Sequence, residues 1–230
     1  MSEIIDKLLD NAQVWQASQQ KRQTRADAEA TGFSPLDEHL PGAGWPRGAM
    51  IECLLPHYGI GELQLILPVL RKLTGEGLTA FWIDAPHIPY APALARAKVD
   101  IAHVVQVRTQ SREDQLWTLE NCLRSSTTGL VMVWLDSIKR SDIRRIQLAA
   151  EAGDNLCILF RDARHAEEHS PAALRLKLAP QDGWTLQTDI IKRRGGWPVA
   201  DLKVSIPPVV DLPRSRTAEI IQGPWSRPNT

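Results

Sequence analysis

The residues best placed to do chemistry lie in Leu55–Leu65, LPHYGIGELQL. An apolar run of β-like composition, AMIECLL, leads in, Gly59 and Gly61 supply a turn, and ELQLILPVLRKL follows with helical spacing. Strand, glycine turn and helix are the setting of a phosphate-binding loop, whose amides cradle phosphates at a helix N-terminus. The working motif is G-x-x-x-x-G-K-S/T, because its Lys neutralises the phosphates and its hydroxyl ligates Mg²⁺. Here Gly61 is followed by Glu62 and Leu63. A carboxylate aimed at a triphosphate repels it, by about 4 kcal/mol per unit-charge pair at roughly 4 Å in an effective dielectric of roughly 20. The segment reads either as a nucleotide loop that has lost its ligand chemistry or as a plain βα turn in which Glu62 favours the helix start.

Two basic groups are the other candidates. SIKRSDIRR gathers Lys139, Arg140, Arg144 and Arg145 after an apolar run. Such a cluster grips phosphates or an acidic partner, or else is a solvated helix start. KRRGG sets Lys192, Arg193 and Arg194 before two glycines that permit close backbone approach. His57, His87 and His103 stand alone, so no metal site is expected. Ser, His and Asp occur in no spacing that suggests a nucleophile, so no catalytic residue is expected.

The elements that must position these residues follow from composition and periodicity. Twenty-seven basic and 27 acidic side chains cancel, so no global field draws the chain to nucleic acid or an anionic membrane, and any polyanion contact must be local. Cys53, Cys122 and Cys157 each sit in an apolar stretch without C-x-x-C spacing, which predicts buried, reduced thiols and a cytoplasmic protein. Nothing resembles a signal peptide or a run long enough to span a bilayer. Residues 1–30 read as an amphipathic helix, with Ile4, Leu8 and Trp15 on its apolar stripe, followed by a polar tether. Trp15, Trp197 and Trp225 fall in segments that read as peripheral contact surfaces.

Residues 31–206 form the expected core. TAFWIDA, HVVQVRT, GLVMVWLDS and NLCILFRDA read as strands, with YAPALARAKVD, SREDQLWTLENCLRSS and SDIRRIQLAAEAG as the helices between them. That alternation predicts an α/β fold with a mostly parallel sheet and helices on both faces. AALRLKLAP, a QDGW turn and TLQTDIIKRRGG then alternate with period two, which predicts a C-terminal antiparallel hairpin. Beyond Gly196 the chain is proline-rich with few apolar clusters, and is expected not to order by itself; residues 207–230 are assigned as a flexible tail.

The order of these pieces resembles the RecA core. TGFSPLDEHLPGAGWPRGAMIEC resembles that family's opening, VMVWLDS its Walker B strand ending at Asp136, and NLCILFRDAR the strand ending in its nucleotide-sensing residue. The similarity runs from about Thr31 to Gly195 and puts Glu62 at the phosphate-loop lysine and Leu63 at the Mg²⁺-binding hydroxyl. It also puts Asp84, in WIDAPH, near the acid that activates water. No nucleotide or other cofactor is therefore expected. Within the RecA-like proteins the sequence resembles ImuA in GIGEL, WIDAPH and IIKRRGG, departing from that pattern at Ala85 and Ile191. The resemblance implies a non-enzymatic adaptor of SOS translesion synthesis. Its partners are then an ImuB-like Y-family polymerase homologue and an error-prone C-family DNA polymerase, with RecA or DNA as further contacts. The alternatives are a SulA-type division inhibitor that binds FtsZ and a RecA-like ATPase.

Overall fold

The computed structural model describes residues 28–208. The amphipathic stripe of Ile4, Leu8 and Trp15, and the tail with Trp225, lie outside the described residues. Strand β1 (Ala28–Glu29) pairs antiparallel with β2 (Trp45–Pro46), and the four-residue helix α1 (Ser34–Asp37) lies between them. This corrects the expected tether to residue 30. Glu29 is 6% exposed and holds Arg47 at 2.6 Å and Lys72 at 2.5 Å, so a charged side chain anchors what reads as linker.

The core alternates as expected: β3 (Ala49–Leu55), α2 (Glu62–Gly75), β4 (Thr79–Ile83), α3 (Ala91–Arg96), β5 (Val104–Val107), α4 (Arg112–Arg124), β6 (Thr128–Trp134), α5 (Arg140–Gly153) and β7 (Leu156–Asp162). β8 (Leu174–Gln181), β9 (Thr185–Arg193) and β10 (Val199–Ser205) complete one eight-stranded sheet in the order β10-β9-β8-β3-β7-β6-β4-β5. The pairs from β8 through β3, β7, β6 and β4 to β5 are parallel; β8–β9 and β9–β10 are antiparallel. Every residue of β3 and β6 is buried, as expected of largely apolar parallel strands covered on both faces, Glu52 of β3 being the one charge among them.

Strand alternation sorts the core into two layers. Ile51, Cys53, Leu130, Met132 and Trp134 face α2 and α3, whereas Met50, Val131, Val133 and Leu159 face α4 and α5. On the first face Trp82, Trp134 and Phe160 lie in a row, with ring centroids 5.9 and 4.7 Å apart. Cys53 and Cys157 are buried, and burial holds the Cys157 thiol up at about 12; Cys122 is only half-buried, and burial lifts it to about 11. Among the described residues no helix is long and apolar enough to cross a membrane.

The expectation of disorder after Gly196 is overturned for the stretch that forms β10. β10 pairs with β9, Val204 is fully buried, and Ile206 is 4% exposed with its amide donating to the Trp184 carbonyl at 2.7 Å. A bulge between Val199 and Leu202 breaks the period-two pattern, which hides the strand from a periodicity search. YAPALARAKVD also shortens: only Ala91–Arg96 is α-helical, and Lys98 turns left-handed after it.

Candidate functional site

The site lies where β3 delivers the chain to the N-terminus of α2. Gly59 and Gly61 take φ of +85° and +110°, in the left-handed region that glycine occupies freely. Their amides turn inward, and the side chain of Glu62, the first helical residue, folds back onto them. Gly59 N–H donates to Glu62 Oε1 at 2.9 Å and to Oε2 at 3.2 Å, and Gly61 N–H donates to Oε2 at 3.1 Å. Glu62 is only 4% exposed. A negatively charged group thus sits among loop amides at the positive end of a helix, the electrostatic setting that binds phosphate elsewhere. The anion is supplied by the chain itself.

Protein also covers the Gly61 end of this loop, whereas residues 56–59 are exposed. A Cβ on Gly61 would collide with Ile206 Cδ1, so the segment after β10 packs directly on the glycine. Leu63, one residue on, is 36% exposed and lines a groove beside α2. Tyr58 stands on the rim, where burial, then the carboxylates of Asp136, Asp162 and Glu62, push its phenol up.

The other two acids of the cleft are engaged as well. Asp136, just past β6, accepts from Arg164, from His165 Nε2 at 2.9 Å and from the Asp162 amide at 3.1 Å. Burial alone would raise its carboxyl, but the Asp162 amide, His165 and Arg164 hold it below the usual range. Asp84 adopts φ of +51° and accepts from the Thr109 amide at 2.8 Å and the Thr109 hydroxyl at 2.6 Å. Its carboxylate clamps the loop after β5 to the end of β4. Neither side chain presents a free carboxylate to the loop.

A buried ion network holds the segment between β7 and β8. Glu52, in the middle of β3 and fully buried, accepts from Arg175 Nε at 2.6 Å and Ser170 Oγ at 2.7 Å, with Arg161 3.5 Å away. Arg175 also donates to the carbonyls of His165, Ala166 and Glu168. Full pairing offsets the desolvation of these charges. The signal was present in the sequence: a lone Glu in MIECLL and a lone Arg in AALRL are charges inside apolar strands, which only mutual pairing tolerates.

The turn after β9 touches α5. Burial, and after it Arg175, lowers the Lys192 ammonium, and Arg194 and Arg140 add to the lowering; Arg194 itself reaches α5 at Glu151, about three turns along the helix from Arg140. Four of the seven cations have internal partners: Arg145 pairs with Glu120, Lys192 donates to the Ser170 carbonyl at 2.6 Å, Arg193 donates to the carbonyls of Trp197 and His39, and Arg194 pairs with Glu151 at 3.1 Å. Lys139, Arg140 and Arg144 are exposed and have no ion-pair partner among the described residues. Trp197, beyond the KRRGG turn, is 85% exposed. Among the described residues no cluster of three or more His, Cys, Asp or Glu side chains is arranged to hold a metal ion.

Sheet order, antiparallel C-terminal strands and a loop in the phosphate-loop position define a RecA-like α/β core. No family model matches the chain. It is similar to the cell division inhibitor SulA of Edwardsiella piscicida, 30% identical over 100 residues that cover 43% of this chain and 60% of that protein. It is also similar to the RecA protein of Chlorobaculum parvum, 28% identical over 155 residues, 67% of this chain and 43% of that protein. The RecA protein of Clostridium acetobutylicum is 32% identical over 130 residues, 56% of this chain and 36% of its own. The chain is thus related to SulA and RecA at low identity, and spans at most 60% of the length of these relatives.

Proposed function

We propose that this chain is a non-catalytic, RecA-like adaptor of the SOS response that supports error-prone translesion synthesis. It holds an ImuB-like Y-family polymerase homologue and an error-prone C-family polymerase, and RecA or DNA is a further contact. The observation that carries the reading is the Glu62 carboxylate seated on the amides of Gly59 and Gly61. A phosphate entering there must displace a buried anion that already has its hydrogen bonds, and it meets neither a lysine nor a hydroxyl for Mg²⁺. The engaged state of Asp136 and Asp84 supports the same view. A RecA-like surface without a nucleotide switch is suited to act as a fixed scaffold. The SulA relative supports a second reading, a division inhibitor that acts on FtsZ.

The test is pairwise binding of the purified full chain to an ImuB-like protein, to FtsZ and to RecA, with Mg-ATP titrated calorimetrically in parallel. The expected result is a stable complex with the ImuB-like protein and a flat ATP titration. Binding to FtsZ alone would replace the adaptor with the division inhibitor. Saturable heat with Mg-ATP would defeat both readings.

A further inference from the structure

Beside the loop, between α2 and α3, runs an apolar groove of about 330 Å³. Trp82 and Met132 line it, as do Leu63, Leu67, Trp184 and Pro208. Leu63 and Trp184 are 36% and 52% exposed, so large apolar surface is left in water along its length. Trp82 is 2% exposed, and its indole N–H has no hydrogen-bond acceptor among the described residues. The groove thus presents uncovered apolar walls of the kind that aliphatic side chains bury.

The chain itself arrives at this groove. Ile206 is fixed against Gly61 and hydrogen-bonded to Trp184, and Pro208, the last described residue, is part of the groove wall. The next five residues in the sequence are Val209-Val210-Asp211-Leu212-Pro213: three large aliphatic side chains, with backbone carbonyls and one carboxylate as acceptors. Five extended residues span roughly 17 Å. Pro207 and Pro208 stiffen the approach, and a segment joined directly to the groove wall competes at an effective concentration on the order of millimolar, without paying for a separate encounter.

We propose that residues 209–213 dock in cis as a strap across this groove, burying Leu63 and Trp184 beneath Val210 and Leu212, which an extended chain places on one face. The strap continues what Ile206 begins, so that the chain's own C-terminal segment covers both the Gly61 end of the loop and the adjoining face of α2. A partner that uses this face must first displace it. The strap stands or falls independently of the proposed function.

The test is hydrogen–deuterium exchange of the full chain beside two full-length variants, the double substitution Val210→Asp/Leu212→Asp and the groove substitution Leu67→Glu. Docking in cis predicts slow exchange of 209–213 and of α3 in the wild type, at least tenfold faster exchange of both segments in either variant, and rates that do not change on dilution. Unchanged α3 exchange in the tail variant would overturn the strap. Protection that falls on dilution would overturn it in favour of a second copy of the chain. Protection that survives the tail substitutions but is lost in Ile4→Asp/Leu8→Asp would overturn it in favour of the N-terminal stripe. Should Leu67→Glu fail to fold, the tail variant, whose changes lie beyond the sheet, still decides the matter.

Discussion

Glu62 shows how one side chain redirects a whole motif. Its type and its place after Gly61 are legible in the sequence, and both argue against a bound phosphate; that its carboxylate turns back to take the phosphate's place is not, because spacing alone does not set which way a helix-start acid turns. Its removal should therefore destabilise the chain without creating a nucleotide site. Glu62→Ala leaves the Gly59 and Gly61 amides unpaired and should cost about 1–3 kcal/mol, read as a lowered urea midpoint. Glu62→Lys should cost at least as much and still give no heat with Mg-ATP, since Leu63 offers no Mg²⁺ ligand. ATP binding by Glu62→Lys would mean that the cradle is intact and only its charge was wrong. A second residue-scale prediction concerns Glu29. Burial raises its carboxyl, but hydrogen bonds and charge from Lys72 and Arg47 outweigh it and hold the pKa below the ordinary 4.5. Because the folded value is the lower one, the ion pair's contribution is fully present above about pH 4.5 and drains away as pH falls towards the folded value. Unfolding midpoints of Glu29→Gln should accordingly fall less steeply with acid than those of the wild type; parallel curves would show that Glu29 contributes nothing to acid sensitivity.

At the scale of elements, periodicity reveals whatever local pattern determines and misses whatever contact determines. β3, β4, β6 and β7 are legible as apolar runs, and the β8–β9 hairpin as alternation across a QDGW turn. β10 is not, since its bulge interrupts the alternation and the prolines after Ser205 read as disorder. β1 escapes because two residues carry no period, and its stability comes from Glu29 reaching Arg47 and Lys72, distant in sequence. The pairing of Arg194 with Glu151 of α5 is likewise a fact of the fold, invisible along the chain. β10 matters beyond its own pairing because it delivers Ile206 to Gly61. Ile206→Ala should cost about 2–5 kcal/mol, as expected of a large-to-small change at a buried site, and should also accelerate amide exchange at Gly61, against which Ile206 packs. A loss of stability with exchange at that amide unchanged would separate the strand from the loop and refute that coupling.

The molecule as a whole carries no net charge, so any contact with a polyanion must be local rather than drawn by its overall field. Most of the cations that sequence alone marks for contact are engaged internally, as Arg145 is with Glu120 and Arg194 with Glu151, and serve the fold first. Lys139, Arg140 and Arg144, exposed at the start of α5, have no ion-pair partner among the described residues. Each phosphate neutralised on a single strand contributes about 0.7 to the slope of log affinity against log salt. The variant Lys139→Glu/Arg140→Glu/Arg144→Glu should therefore weaken binding to a single-stranded oligonucleotide and flatten its salt dependence by about 2 in slope. Its unfolding free energy should stay within about 0.5 kcal/mol of the wild type, because none of the three side chains supports the core. Fluorescence anisotropy across a salt series, with urea unfolding alongside, reads both quantities. An unchanged salt slope would exclude this surface as the nucleic-acid contact. The same variant tested against the ImuB-like protein would then show whether an acidic protein surface is the partner these charges meet: a complex weakened in the same salt-dependent manner assigns them to protein, since rim charges act chiefly by steering association.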